Sequence, residues 1–564
     1  MKISNKRYDT ILGLFTAVFS TICFILIFCT IDRGTSCDEG YYLLAYLPEQ
    51  PISWGISQFG FIVRKLFWFL PEDGALSLRY VRFFLNIPIL YLFAFSSFRW
   101  LKKQYGLHTS SVWYYSLLFL SGVLSFGFAS PILYYDNIQF FIYLLVFSIY
   151  FLFTTSVSSF FKRLSLIFIG VLCVFGLFNY LPSGILLIVA LSVLLLIDTD
   201  KVKNILLLCL GLLLGIIVYH LFIRTIVDSV NDIYTSFVLA QKGLTKHSNN
   251  QLFVALFRYL VEFVLLFGLF AVLGWLVYYI DNFKNSFTRY LCYTFATIVF
   301  LAILLQRWIF YKYYTGIFIM PTAFMVSYFI TQKIGKNHVG YSLKELLIFI
   351  ILLFAPLMGV FGTNQSVSAK MLFFMPFWVV AYFLLVSIID FKQKTFLKIS
   401  NTIYVVILMV GVAYFVYFAR YHYYYTPKKS NTEITDTSRF RNIKISEWQK
   451  DFNDKAIDIM RKNGFKKGDS VLAFYDNFIT VYMAGGYIPS NLIYQFEVFV
   501  SDKKNIPNEP IIYIFLIEEQ DKPMQEFLKD TNWDFPESYM RFDLGKAAEN
   551  LPAQYNSILY IRKH

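Results

Sequence analysis

Apolar residues fall along this chain in long unbroken blocks. They do not follow the strict alternation of half-buried strands or the narrow stripe of a surface helix. Blocks at 11–31, 78–98, 112–130, 133–154, 164–178, 183–197, 204–223, 259–280, 290–306, 314–331, 344–361, 371–390 and 401–419 predict about thirteen membrane-spanning helices. The fifth and sixth blocks are short. They meet at Asn179-Tyr180-Leu181-Pro182-Ser183-Gly184, which predicts a tilted or broken pair. The first block is too long for a signal peptide and is expected to stay as a helix.

The polar gaps set the orientation. One alternating set holds Lys2, Lys6 and Arg7, then Arg99, Lys102 and Lys103, then Lys162 and Arg163, then Lys201 and Lys203. The same side continues through Lys284 and Arg289, Lys333 and Lys336, and Lys392, Lys394 and Lys398. The other gaps are poorer in Lys and Arg. The rich side is the cytoplasmic one, so the N-terminus is expected inside. After an odd number of crossings, the tail beyond Tyr421 is expected outside. Residues 1–420 form the expected membrane module, with a first outer loop at 32–77, and 421–564 an extracytoplasmic domain.

Within that loop, the apolar stretch from Trp54 to Trp68, with Arg64 and Lys65 inside it, is too short to span. It predicts a helix lying in the interface, ended by the Pro71-Glu72-Asp73-Gly74 turn. The C-terminal domain is expected to be small and α/β. Strands are predicted at 469–474, 511–516 and 557–562, and helices at 454–463 and 522–529.

Composition agrees with a membrane chain. Charged residues make up 15% of the 564, and hydrophobic residues 57%, against about 25% charged in soluble domains. The net charge of +14 does not signal nucleic acid, because the basic residues occupy the short gaps rather than a tract interleaved with aromatics. The six Cys form no CxxC pair or disulfide framework. The six His show no metal-binding spacing, and no Gly-rich nucleotide loop precedes a helix.

The chemistry-bearing residues gather at the outer ends. Asp38 and Glu39 stand side by side just after the first block. Such carboxylates can take a proton from a hydroxyl or bind a divalent cation. Alone, the pair also fits a solvated acidic turn. Asp136 opens an otherwise apolar block, where a lone carboxylate costs roughly 2.5–3.5 kcal/mol. It needs a cation, a metal or a water-filled cavity, unless it serves as an N-cap. Arg79 and Arg82, Arg258, and Arg307 with Lys312 lie on the same face, with Arg224 ending another block. Guanidinium and ammonium groups at that depth suit a lipid phosphate, and each alone also fits interfacial snorkelling. The turn at Gly362–Ser366, with Asn364, could line a sugar pocket.

These features together resemble the GT-C superfamily of membrane glycosyltransferases. The layout is closest to the lipid A aminoarabinose transferases and the protein O-mannosyltransferases of bacteria. The residues that carry the likeness are Asp38-Glu39-Gly40-Tyr41, the helix opening from Arg79 to Asn86, Tyr135-Asp136, and Lys312-Tyr313-Tyr314 with Pro321.

The resemblance implies transfer of a sugar from a polyprenyl-phosphate donor to an acceptor hydroxyl of a lipid, glycan or protein. The reaction would occur on the outer face of a bacterial cytoplasmic membrane, with inversion at the anomeric carbon. It makes Asp38 the base, Glu39 its support and Asp136 an orienting group. It gives Arg82, Arg307, Lys312, Arg258 and Arg79 to the donor phosphate, and Tyr41, Tyr135, Tyr313 and Asn364 to the substrate pocket. No metal is assigned; a divalent cation, if one binds, would sit at Asp38 and Asp136.

The absence of a Trp-Trp-Asp triplet argues against an oligosaccharyltransferase. Ser57-Gln58-Phe59-Gly60 stands near where several relatives carry His-Pro-Pro or Lys-Pro-Pro, which leaves the acceptor class open. Two rival readings stay open at this point. One is a polytopic transporter or lipid flippase, and the other an O-antigen-type polymerase or ligase.

Overall fold

The computed structural model describes residues 6–35, 37–47, 57–70, 74–126, 131–241, 249–281, 314–334, 343–362, 370–389, 394–421, 431–437, 439–474, 477–488, 496–546 and 555–563, with isolated positions at 285–294. The side chains of Cys37 and Asp38 are not among them.

The described apolar blocks become helices, with shorter helices in the gaps between them. They are α1 (Lys6–Phe28), α2 (Cys37–Ala45), α3 (Phe59–Leu66), α4 (Ala75–Tyr105), α5 (Ser111–Val123), α6 (Tyr135–Thr155), α7 (Ser159–Asn179), α8 (Leu181–Leu196), α9 (Lys201–Phe222), α10 (Ile226–Gln241) and α11 (Asn249–Asp281). Then follow α12 (Tyr314–Ile334), α13 (Leu343–Gly359), α14 (Met375–Ile388) and α15 (Lys394–Tyr421). The expected span at 290–306 lies almost wholly outside the described residues.

Among those described, five helices are long and apolar enough to cross a membrane: α1, α4, α6, α7 and α9. Shorter apolar helices accompany them, and the chain is a membrane protein. Buried α6 sits at the centre, packed on α4 and α7, while α1 packs on α5 and α7 on α9. Gly170 and Gly211 let α7 and α9 approach backbone to backbone, since a Cβ on either would collide with the other helix.

Three stretches add detail to the sequence reading. The acidic motif is not a turn: it opens α2. The fifth and sixth blocks are longer than predicted and adjoin through one extended residue, Tyr180, with Pro182 in the first turn of α8. Of the expected interfacial helix from Trp54 to Trp68, the described part from Ser57 onward holds α3, whose Phe59, Ile62 and Val63 are buried while Trp68 and Phe69 beyond it are exposed.

Beyond α15 comes a ribbon of β1 (Asn431–Asp436) and β2 (Arg441–Ser446), then α16 (Glu447–Lys462). Strands β3 (Val471–Leu472), β4 (Tyr513–Ile517), β5 (Tyr539–Lys546) and β6 (Asn556–Arg562) form one sheet in the order β3-β4-β6-β5. Pair β3–β4 is parallel and the others antiparallel. Every residue of β4 is buried, as a central strand requires. Between β3 and β4 lies α17 (Phe478–Ala484), and after β4 comes α18 (Glu518–Leu528).

This region is joined by backbone to the chain just after α1. Gly34 N–H donates to the Lys444 carbonyl at 2.8 Å, and Lys444 N–H to the Asp32 carbonyl at 2.7 Å. The Lys444 ammonium also reaches the Asp32 carboxylate at 2.9 Å. Helix α2 lies against α17, and at Gly40 the approach leaves no room for a side chain. A Cβ there would strike the backbone of Phe478 and Ile479. Gly40→Ala is therefore expected to wedge α2 from α17 and to cost about 1–3 kcal/mol. Thermal unfolding of the detergent-purified protein measures this, with Gly268→Ala, a helical glycine whose added Cβ meets nothing within 4 Å, as a contrast for space alone.

Candidate functional site

Helix α2 is held by an ion pair. Glu39 and Arg79 are both fully buried, at 0% exposure. Arg79 Nε donates to Glu39 Oε1 at 2.9 Å and Nη2 to Oε2 at 2.8 Å. Its other bonds go to the carbonyls of Ile31 at 2.9 Å and Gly34 at 2.7 Å. The planar guanidinium thus clamps the end of α1, the start of the loop and α2 at once. Arg79, expected at a donor phosphate, is placed here among protein acceptors. Its donors face protein acceptors on a side closed to solvent.

One turn further along α4, Arg82 is also buried. Its Nη2 donates to the Ser125 carbonyl at 2.7 Å. With the Asn137 amide turned so that its oxygen faces the guanidinium, Nε donates to it at 3.3 Å. Arg82 therefore joins α4 to the end of α5 and the start of α6.

Asp136, 3% exposed, lies 3.0 Å from the ammonium of Lys370. The same ammonium donates to the Tyr135 hydroxyl at 2.8 Å. Asp136 is in the first turn of α6, where its charge also suits the helix dipole. Lys370 was missed in the sequence reading. It carried one available signal, a lysine in a gap on the side that is otherwise poor in basic residues.

Aromatic rings tie the two charged pairs together. Tyr42 of α2 stacks on Tyr134 with centroids 4.9 Å apart and meets Phe59 edge-on. Phe59 and Tyr180 flank Tyr135 at 6.0 and 5.4 Å. Tyr41, expected in a substrate pocket, is buried against Phe478 at 5.3 Å. Burial pushes the hydroxyls of Tyr46 and Tyr134 well above the ordinary phenol range, so both remain protonated. Arg82 and Glu39 act on Tyr46, while Asp136 and Arg82 act on Tyr134. The charged groups are neighbours in one cluster.

A second polar network backs the cluster. Asn179 donates to the Tyr135 carbonyl and to Gln139, both at 2.9 Å, and Gln139 donates to Ser183 at 3.0 Å. Gln58 accepts from Arg224, which also pairs with Asp232 and lies over the Phe61 ring at 4.2 Å. Arg224 is thus a strut between α9, α10 and the first loop. Beside Tyr46, a cavity of about 180 Å³ opens among Leu43, Leu47, Val63, Phe67 and Trp68.

Other expected site residues are not brought into view. Arg258 is exposed on α11. Arg307, Lys312, Tyr313 and Asn364 lie outside the described residues, as does the Asp38 side chain. Among the described residues, no group of three His, Cys, Asp or Glu could hold a metal ion.

No protein-family model matches the chain, and no curated protein matches it. Among solved structures, the oligosaccharyltransferase of Archaeoglobus fulgidus, in complex with Zn and sulfate, aligns over 94% of this chain and 71% of its own. The TM-score is 0.48 and the identity 11%. The same enzyme in its apo form aligns over 96% and 73%, with a TM-score of 0.46 and 11% identity. Scores at this level do not establish a shared fold.

The buried pair yields a stability test. Glu39→Leu leaves the Arg79 guanidinium buried and unpaired, and should cost about 3–5 kcal/mol. Adding Arg79→Met should recover most of that loss. Thermal melting of the single and double variants in detergent gives the comparison.

Proposed function

We propose that this protein is a glycosyltransferase that moves a sugar from a polyprenyl-phosphate donor to an acceptor hydroxyl at the outer face of a bacterial cytoplasmic membrane. One observation carries the reading most. Carboxylates and cations from the first outer loop, α4, α6 and the segment before α14 converge at one end of the helix bundle. Glu39 pairs with Arg79, and Asp136 with Lys370. Tyr42 stacked on Tyr134 makes the two pairs adjacent.

Asp38 precedes Glu39 on α2 and acts as the base. The acceptor oxygen loses its proton to Asp38 and attacks the anomeric carbon. The bond from that carbon to the phosphate oxygen breaks, and the leaving polyprenyl phosphate keeps the electron pair. Attack opposite the leaving group inverts the centre. Negative charge develops on the phosphate, so fixed cations there lower the barrier. Arg82 and Lys370 supply that charge, together with Arg307 and Lys312. Asp136 and the Tyr135 hydroxyl hold the Lys370 ammonium in place.

A flippase would place ionisable groups near mid-membrane on broken helices. Arg79, Arg82 and Asp136 instead lie in the opening turns of α4 and α6.

The test is release of lipid phosphate by the purified protein, given polyprenyl-phosphate sugars and candidate acceptors. Asp38→Asn is expected to abolish turnover while the protein still melts cooperatively. Retained turnover would remove Asp38 from the role of base. The paired change Asp136→Asn with Lys370→Met leaves no unmatched charge. It is expected to lower kcat/KM for the donor by about 10²–10³ and to affect KM for the acceptor less. The opposite split would refute the phosphate role of Lys370.

A further inference from the structure

Helix α10 follows the span α9 after a short turn. Its 16 residues are fewer than the ~20 that a crossing needs. Asp228, Asn231 and Asp232 also fall in its first two turns. At about 100° per residue, its side chains sort into three adjoining sectors.

The first sector is packed on protein. Ser229 is fully buried and shares a hydrogen bond of 3.3 Å with the Tyr219 hydroxyl. Ile226 and Ile233, with Phe61 of α3, pack against Phe178, Tyr219 and Ile223. Helix α10 therefore lies where α7 and α9 end, beside α3. The second sector is apolar and uncovered: Val227 is 67% exposed, Val230 50%, Tyr234 69% and Phe237 40%. These positions are spaced by three or four residues, so they form one stripe. The third sector is polar and exposed, and holds Asp228 and Asn231.

A helix surrounded by water gains nothing from the second sector, and a helix sunk in the bilayer gains nothing from the third. Protein on one flank, an uncovered apolar stripe on the next and a polar surface beyond it suit a helix lying in the plane of a membrane interface. The stripe follows directly on a surface that faces lipid. Helix α9 is long and apolar enough to cross, and its Leu210, Leu214, Ile217 and Leu221 are exposed at helical spacing up to its last turn. Exposed Phe222 carries that surface to the turn before α10.

We propose that α10 is an interfacial helix whose Val227, Val230, Tyr234 and Phe237 insert among the acyl chains of the adjacent leaflet, with Asp228 and Asn231 toward water. The Tyr234 ring, apolar in body and polar at its tip, suits that boundary. Seating α10 in the bilayer also fixes its protein flank. Asp232 pairs with Arg224, and Arg224 donates to Gln58 just before α3. The membrane surface thereby helps to set the height of the first loop. The proposal does not depend on the transferase reading.

Photo-crosslinking of the full chain in vesicles of palmitoyl-oleoyl phosphatidylcholine tests it. The photoreactive residue p-benzoylphenylalanine replaces Tyr234, Phe237 or Asn231, one at a time. The same replacement of Leu221, on the span, reports that lipid capture works. Melting curves show that each variant is folded. Irradiation and mass spectrometry are expected to give phosphatidylcholine adducts at Tyr234 and Phe237, as at Leu221, and none above the dark control at Asn231. Adducts at Tyr234 and Phe237 that join two copies of the chain, or that join the chain to itself in place of lipid, would overturn the proposal. Equal lipid capture at all four positions would overturn it too, because α10 would then be sunk in the bilayer.

Discussion

The end of the helix bundle that carries α2 depends on the burial of the Glu39–Arg79 pair. Two full charges removed from water are costly, and only bidentate geometry with the remaining donors satisfied offsets that cost. Here Arg79 reaches Glu39 twice and the carbonyls of Ile31 and Gly34 as well. The pair adds little net stability compared with apolar residues of equal volume. It gives position instead: α2 sits with Gly40 against α17 and Tyr42 against Tyr134. Placement of the acidic motif over α6 follows from that constraint.

A chain of consequences runs from there. Because α2 is fixed, the Tyr42 ring closes one side of the aromatic enclosure around Tyr135. Because Tyr135 is enclosed, its hydroxyl is held where it can accept from Lys370. Lys370 in turn stands beside Asp136. A half-buried cation held by both a carboxylate and a phenol is restrained in place. Fixed charge of this kind needs no reorganisation when negative charge appears nearby, which is the condition for electrostatic catalysis. The β2 strand reinforces the arrangement by pairing with the chain just after α1, so the C-terminal region buttresses the loop that carries Asp38.

The sequence made the helices legible because their signal is local. A run of apolar residues long enough to span is a property of that run alone, and α1, α4, α6, α7 and α9 lie where the blocks fall. Strand β4 was legible for the same reason, as a short buried apolar run. The site was legible only in part, because its signal is pairwise. Asp136 announced that it needed a partner, but nothing near it in sequence could name Lys370, 234 positions away by subtraction of the two residue numbers. Arg79 looked like a phosphate ligand because depth and charge were visible, whereas the competing carboxylate depended on α2 being a helix. That helix was hidden: Cys37–Ala45 is too short and too mixed for periodicity to reveal.

The two ends of the bundle treat cations differently, and the difference bears on function. At the Lys-rich end, Lys162 and Lys344 remain partly exposed around an open cavity, which topology alone can explain. At the other end, the positive-inside rule gives no reason for a cation, yet Arg79 and Arg82 are buried there and Lys370 is mostly covered. Snorkelling does not account for them, since a snorkelling side chain keeps its charge in water. Cations that oppose the topology rule and are also desolvated must be retained for what they hold. Arg79 holds backbone and carboxylate, and is explained as structure. Lys370 is braced by Asp136 and Tyr135 but still faces a partly open side, at 19% side-chain exposure. That residual access separates a group that only positions protein from one that can meet a ligand, and this is why the proposed function gives the phosphate to Lys370 rather than to Arg79.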